Sequence, residues 1–173
     1  QDMTDRKKME DALRSLSVID DLTKLYNRRG FLALAEHQFN VARRRKMKFS
    51  LVFIDIDDFK SINDRMGHIE GDKALLGMAK VLQHTCRESD IIARVGGDEF
   101  VILAIEAASR ETSAMIERLK RNIDNYNATS IHKHKLSISL GKAYYYHDKT
   151  ATLKSLLDIA DKDMYANKDA KKN

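Results

Sequence analysis

Residues 94–100 read "RVGGDEF". Two adjacent glycines are followed at once by two carboxylates and an aromatic residue. The flanking stretches "DIIA" (90–93) and "VILAI" (101–105) are rich in β-formers. Short apolar runs on either side of a Gly-Gly pair read as two strands joined by a tight hairpin. Glycine takes up positive φ at no steric cost, so Gly96 and Gly97 are expected to supply it at this turn. The same two residues let a ligand approach bare backbone. Folding alone does not account for Asp98 and Glu99, because Asp is poor in strands.

Upstream, "FSLVFIDID" (49–57) is a nearly unbroken run of β-formers that ends in aspartates. Such a run reads as a central strand covered on both faces. A second acidic cluster, Asp55-Ile56-Asp57-Asp58, closes it. Active sites favour the carboxyl ends of strands. If the hairpin pairs beside this strand, Asp55 and Asp98 meet. Two such carboxylates, in a chain of net charge +5, point to a hard divalent cation such as Mg²⁺. Solvated loop aspartates are the alternative.

Helical spacing marks the remaining segments. Met9, Leu13, Leu16 and Ile19 form a narrow stripe over 4–19, suited to a coiled-coil seam or a docked arm. A connector, "DDLTKLYNRRGF" (20–31), leads into a helix from Arg28 to Arg45. Further helices are predicted over 58–68 (ended by Gly67), 70–86, 109–126 and 150–168, and a strand over 135–146. Helices between strands plus one hairpin give an α/β or α+β class with a single mixed central sheet wrapped by helices. In "IHKHK" (131–135), His132 and His134 share one face, and the interleaved lysines predict an exposed strand edge rather than a metal site.

The 173 residues, 43% hydrophobic and 33% charged, suit one domain with a core and exclude a disordered chain. No apolar run approaches the ~20 residues that span a bilayer, so this piece is expected to make no direct membrane contact. The charged start "QDMTDRKKMEDAL" is not a signal peptide and has no initiator Met, so a fragment of a longer, cytoplasmic protein is expected. Cys86 is the one cysteine, which excludes an internal disulfide; it reads as a small packed residue. The basic run "ARRRKMK" (42–48) reads as a solvated helix end, where cations offset the dipole. It has no interleaved aromatics to stack on bases, so no nucleic-acid partner is expected.

"GGDEF" at 96–100 resembles the signature of the GGDEF family, the diguanylate cyclases. Other motifs follow in order. "DDLTKLYNRRGF" is similar to the family's D-x-L-T-x-L-x-N-R-R opening, and "FIDIDDFKSINDRMGHIEGD" (53–72) to its central segment. "RESD" (87–90) stands where the family's inhibitory R-x-x-D sits. "SLG" (139–141) and "ADKDMYANK" (160–168) resemble its closing segments. The resemblance covers residues 17–173. It implies a sheet wrapped by helices like the palm of polymerases and nucleotide cyclases, and condensation of two GTP into cyclic di-GMP with loss of two pyrophosphates.

Roles follow by position from this resemblance. Asp55, Asp98 and Glu99, with the carbonyl of Ile56, match the residues that hold two Mg²⁺ ions (Mn²⁺ being able to substitute), and Glu99 also activates the attacking hydroxyl. Gly96 and Gly97 lie against the triphosphate. Asn63 and Asp72 match the guanine readers. A carboxylate accepts from the N1–H and N2–H₂ edge that guanine alone offers; a known branch that takes ATP carries another residue at the Asp72 position. Lys60, Lys168 and Lys172 match phosphate contacts, and Phe59 packs under the nucleotide. Arg87 and Asp90, completed by Arg118 or Arg121, match a product-binding inhibitory site. The C-terminus departs from the family's Y-x-A-K-x-x-G-R-N: Asn167 replaces Ala, Lys171 replaces Gly, and Lys172 replaces an Arg, keeping charge but losing the bidentate fork. The missing glycine leaves the path of the last residues open.

"DMTDRKKMEDAL" (2–13) resembles the tail of PAS sensor domains. Residues 1–19 are therefore expected to be a signalling helix that follows a sensor domain, and 20–173 the catalytic domain. Each protomer holds one GTP, so catalysis requires a homodimer. A receptor that binds GTP or cyclic di-GMP without turnover is the alternative. Such receptors commonly lose the Asp55, Asp98 and Glu99 set that is intact here.

Overall fold

The computed structural model describes residues 3–129 and 131–173. In chain order the elements are α1 (Met3–Leu16), α2 (Arg28–Arg45), β1 (Phe49–Ile56), α3 (Phe59–Met66), α4 (His68–Thr85), β2 (Ile91–Arg94), β3 (Glu99–Ile105), α5 (Ser109–Ala128), β4 (Ile138–Tyr145) and α6 (Leu153–Lys172). The α+β class is as expected. The strand order is β2-β3-β1-β4. Each of the three neighbouring pairs is antiparallel, where a mixed sheet was expected. The reason is topological: α3 and α4 carry the chain from β1 past one position to β2, and the hairpin then inserts β3 antiparallel between them. A parallel component survives in the isolated bridge Tyr26↔Ala93.

β1 is buried at all eight positions. Its period of two divides the core into two layers. Val52, Ile54 and Ile56 face Leu75, Met78 and Leu82 of α4 and Ile116 and Leu119 of α5. Phe49, Leu51 and Phe53 face Phe31, Ala35 and Phe39 of α2 and Leu156, Ala160 and Met164 of α6. By the same alternation Asp55 belongs to the α2/α6 side. Each such buried Val, Leu, Ile, Met or Phe side chain contributes roughly 1.5–3 kcal/mol.

α2 starts where Asn27 accepts from Gly30 N–H at 2.9 Å, a side-chain N-cap. Gly30 is required there, since a Cβ would lie 2.4 Å from the carbonyl oxygen of Val18. α1 ends at Leu16, earlier than the expected 19; Ile19 instead bridges Tyr26. Met9, Leu13 and Leu16 of the stripe are exposed. Residues 1 and 2, the start of the expected signalling helix, lie outside the described residues. Among the described residues no helix is long and apolar enough to cross a membrane.

The segment before β4 also departs from expectation. Residues 131–136 form no strand, and His134 is 1% exposed. Its two ring nitrogens lie 2.7 Å from Glu70 Oε1 and 2.7 Å from Tyr126 Oη, while His132 stacks on Tyr126. The imidazole carries two hydrogen-bonding atoms, and burial of the ring is satisfied by a partner at each.

β4 is an edge strand, and α6 lies directly over it. A Cβ on Gly141 would sit 2.1 Å from Ala160 O and 2.1 Å from Met164 N. Three α6 side chains spaced by four then cap alternate β4 backbone groups. Asp163 accepts from Lys142 N–H at 2.9 Å, Asn167 donates to Leu140 O at 2.7 Å, and Lys171 donates to Ile138 O. Asn167 and Lys171 are two of the three departures noted in the sequence. With no glycine at 171, α6 continues to Lys172. The caps also blunt an edge that would otherwise invite strand addition.

Gly141→Ala forces a methyl into the α6 backbone. It is expected to cost about 1–3 kcal/mol, the range for overpacking, read from the urea midpoint. An unchanged midpoint would show that α6 shifts freely on β4.

Candidate functional site

The site lies where β1 and β3 meet. Register pairs Asp55 with Glu99 on one side and with Ser139 of β4 on the other. Ile56 N–H donates to Asp98 O at 3.1 Å, which continues the ladder one step past the strand. Asp55 is 6% exposed; one of its oxygens takes Lys168 Nζ at 2.5 Å, and the other, Oδ1, is buried with no hydrogen-bond donor among the described residues other than a protonated Asp98.

The hairpin turn is built differently from expectation. Neither Gly96 nor Gly97 has a positive φ in the left-handed range. The loop from Val95 to Asp98 is wide enough not to need it, and it closes through Val95 N–H on Glu99 O at 2.9 Å. The glycines serve for clearance instead. A Cβ on Gly96 would meet the Glu99 side chain at 3.2 Å, while Gly97 faces space with nothing within 4 Å. Arg94 holds the turn, donating from Nε and Nη2 to Gly97 O at 3.1 and 2.8 Å. Its Nη1 reaches Asp20 at 3.2 Å, and Asp20 in turn accepts from Thr23. Arg94 stands in the opening motif and Asp20 in "DDLT". Their pairing is visible only in three dimensions, because 74 positions separate them.

The charges conflict. Burial, then the charge of Asp55, pushes the Asp98 carboxyl up to about 6. Burial, then Asp55 and Asp161, raises Glu99 as well, with Arg28 and Lys168 pulling it down. The hydrogen bond to Asp55 raises Lys168. Glu99 lines a cavity of about 210 Å³ that Arg28, Asp161 and Tyr165 share. The acidic cluster 55–58 divides by role. Asp57 accepts from Ser139, Ser137 and Lys171 at 2.6, 2.7 and 2.9 Å. Burial pushes its carboxyl up, but these bonds outweigh it and hold the group low. Asp57 is thus a clamp between β1, β4 and α6. Asp58 starts α3 in the left-handed region at φ 54°.

The buried Asp55 oxygen and the raised Asp98 fit a hard cation, which takes carboxylate, carbonyl and water oxygens. Among the described residues no three His, Cys, Asp or Glu side chains form a ligand cluster. Asp55, Asp98 and Glu99, with the Ile56 carbonyl and water, are the oxygens that could hold such an ion.

Asn63, Phe59 and Asp72 gather at the α3–α4 elbow. The position of a Cβ on Gly71 would lie 1.8 Å from Asn63 Oδ1 and 3.5 Å from Phe59 Cζ, so Gly71 leaves room for both beside exposed Asp72. Gly67, with φ 91°, makes the bend. Lys168 and Lys172 line a groove of about 500 Å³ next to Asp57; Lys60, exposed in the first turn of α3, does not line it.

Arg87, Asp90 and Arg118 line a separate cavity of about 250 Å³, and Arg121 is not among its walls. Arg87 Nη2 lies 3.6 Å from Asp90 Oδ1, too far for a hydrogen bond, and donates to Ile105 O at 2.8 Å. Asp90 Oδ2 accepts from Arg87 N–H at 2.9 Å, and its Oδ1 is buried without a hydrogen bond. Arg118 donates to Thr85 O at 2.9 Å. Burial, then the charge of Asp90, pushes the nearby Cys86 thiol up to about 12, which disfavours the reactive thiolate.

A family profile described as "Diguanylate cyclase, GGDEF domain" matches residues 17–173. The bifunctional diguanylate cyclase/cyclic di-GMP phosphodiesterase MucR of Pseudomonas aeruginosa is 36% identical over 93% of this chain and 23% of its own length. The probable diguanylate cyclase DgcC of Escherichia coli is 33% identical over 93% of this chain and 43% of its own. The chain thus spans less than half of these curated relatives. Among solved structures, the GGDEF domain of DgcB from Caulobacter crescentus in complex with c-di-GMP superposes with a TM-score of 0.81 at 25% identity, covering 89% of this chain and 91% of that one. The GGDEF domain of TpbB from Pseudomonas aeruginosa gives 0.79 at 32% identity, covering 88% and 89%.

The raised Asp98 predicts a pH signature. Its folded value lies above the unfolded one, so its stabilising contribution is full below about pH 4 and is lost as pH rises through about 6. Asp98→Asn, which cannot ionise, is expected to melt higher than the parent at pH 7.5 and close to it at pH 4. Mg²⁺ is expected to raise the melting temperature of the parent and not of the variant. Identical pH profiles would show that the two carboxylates do not interact.

Proposed function

The chain belongs to the GGDEF family of diguanylate cyclases, and on that premise we propose that it condenses two GTP into cyclic di-GMP with release of two pyrophosphates. The observation that carries this reading is the buried oxygen of Asp55 beside the raised carboxyl of Asp98. Repulsion of this kind is costly in a resting fold and useful where a cation and a triphosphate bind. Asp55, Asp98, Glu99 and the Ile56 carbonyl would hold Mg²⁺, which would supply charge neutralisation on the phosphate oxygens.

The remaining work falls to side chains. Asp72 accepts from the guanine N1–H and N2–H₂, and Asn63 bonds the neighbouring edge, with Phe59 beneath. Adenine would leave the Asp72 acceptor unpaired, which is the strong form of discrimination. The triphosphate lies against Gly97, where no protein atom would meet even a Cβ. Lys168 and Lys172 supply positive charge on the phosphate side, and Lys60, exposed on α3 outside their groove, adds charge from the other side. Glu99 takes the proton of the 3′-hydroxyl, and its raised pKa makes it a stronger base than an ordinary carboxylate. The 3′-oxygen bonds to the α-phosphorus of the other GTP, and the bond to pyrophosphate breaks, its electron pair leaving with that group. Each domain presents one nucleotide, so two copies face each other. The α1 stripe of Met9, Leu13 and Leu16, exposed here, favours pairing through the signalling helix.

Incubation with GTP and Mg²⁺ is expected to yield cyclic di-GMP, with specific activity rising with protein concentration because the working site is bimolecular. Asp72→Ala is expected to weaken GTP binding by more than tenfold, from the loss of charge-assisted hydrogen bonds of ~1.5–3 kcal/mol each. Absence of product at high protein concentration would leave a nucleotide receptor as the reading.

Product feedback extends the proposal to Arg87, Asp90 and Arg118. The DgcB domain was solved with c-di-GMP; the Asp90 carboxylate, ion-paired with Arg87 here, suits a guanine N1–H once Arg87 turns away, and the Arg87 fork suits N7/O6 or phosphate. Arg87→Ala is expected to abolish inhibition by cyclic di-GMP and to leave initial turnover near the parent's. Equal product affinity in calorimetry would reduce the pair to a surface ion pair.

A further inference from the structure

The groove beside Asp57 carries more positive charge than the proposed contacts use. Arg65, Lys133, Lys135, Lys168, Lys171 and Lys172 line it, against Asp57 and Asp58. Two of these cations are already neutralised: Lys168 by Asp55 and Lys171 by Asp57. Arg65, Lys133, Lys135 and Lys172 then face one another across about 500 Å³ with Asp58 as the opposing charge.

Lys133 and Lys135 are not on a loose loop. His134 between them is buried on Glu70 and Tyr126. Lys133 N–H donates to Glu70 at 3.2 Å, and Leu136 exchanges two hydrogen bonds with the Asn127 side chain at 2.8 and 2.7 Å. The Lys135 ammonium donates to Asn127 O at 3.0 Å. With His134 turned inward, both neighbouring lysines are exposed and line the groove. The backbone of the wall is therefore held before any ligand arrives, and it brings like charges together, which is unfavourable until an anion enters.

We propose that Arg65, Lys133 and Lys135 form an anion subsite for a condensed phosphate, adjoining the catalytic carboxylates. A chain of linked phosphates presents several charges in a row, which several amines match better than one. Among the described residues no aromatic side chain lines the groove, so they offer no stacking surface for nucleic-acid bases. The groove also contains Lys168, which touches Asp55, so it opens where phosphates are expected to be cut loose. The source of the ligand, released pyrophosphate or the β,γ-phosphates of GTP, rests on the cyclase reading; the subsite itself does not.

The test is calorimetric titration of pyrophosphate into the parent and into Lys133→Gln/Lys135→Gln, with orthophosphate as the weak-binding control. Both positions are exposed, and circular dichroism with thermal melting checks that the variant folds; Arg65→Gln is the independent second variant. The expected result is at least a tenfold weaker pyrophosphate affinity in the double variant. Titration with a non-hydrolysable GTP analogue then separates the sources: unchanged affinity assigns the subsite to the released product, and a parallel loss assigns it to bound nucleotide. Pyrophosphate affinity equal in parent and variants, or absent from the parent at millimolar concentration, overturns the proposal. Loss of pyrophosphate binding in the variant of a parent that makes no cyclic di-GMP would sink the cyclase reading and leave the subsite standing.

Discussion

The antiparallel pairing of β1 with β3 on one side and β4 on the other is the constraint from which the site follows. A strand buried along its whole length cannot slip by one residue without turning every side chain to the wrong layer. Register therefore fixes Asp55 opposite Glu99 and Ser139. Alternation then assigns Asp55 to the α2/α6 layer, where Lys168 meets it. Core packing of Phe49, Leu51 and Phe53 thus decides where a charge stands at the strand's end.

The second requirement is that α6 come close. Gly141 has no side chain, and the helix backbone occupies the space that one would need. This approach brings Lys168 to Asp55, Lys171 to Asp57, and Asp163 and Asn167 to the β4 backbone. One helix thereby caps a sheet edge and balances two carboxylates. The C-terminal departures from the family pattern acquire a physical meaning here: Asn167 and Lys171 are caps on an edge strand, not worn remnants of a phosphate motif.

The site is stabilised from outside and strained within. Asp57 is saturated by three donors, Arg94 by Gly97 O and Asp20, and Glu70 by His134. Asp98 and Glu99, by contrast, hold protons more tightly than ordinary carboxylates because they are partly buried near Asp55. Satisfied polar groups support a small set of unsatisfied ones, the arrangement expected where binding is to supply the missing charge.

Much of this was legible in the chain itself. The apolar run 49–57, the helical periods and the two acidic clusters are local signals, and they located nearly every element and the meeting of Asp55 with Asp98. The Gly96-Gly97 turn misled, because Gly-Gly is compatible with positive φ without requiring it; the loop's width, set by its closure on Glu99 and by Arg94, decided its shape. His134 misled in the same way. Lysines on either side signal exposure, yet Glu70 and Tyr126, distant in sequence, offered the ring two partners in the interior. The sequence alone determined which residues form strands and helices and which carry charge, since these depend on neighbours a few positions apart. Only the tertiary structure decided sheet direction, the Arg94–Asp20 tie, the α6 caps and the wall of the basic groove, because each depends on distances between residues that the chain's local preferences do not encode.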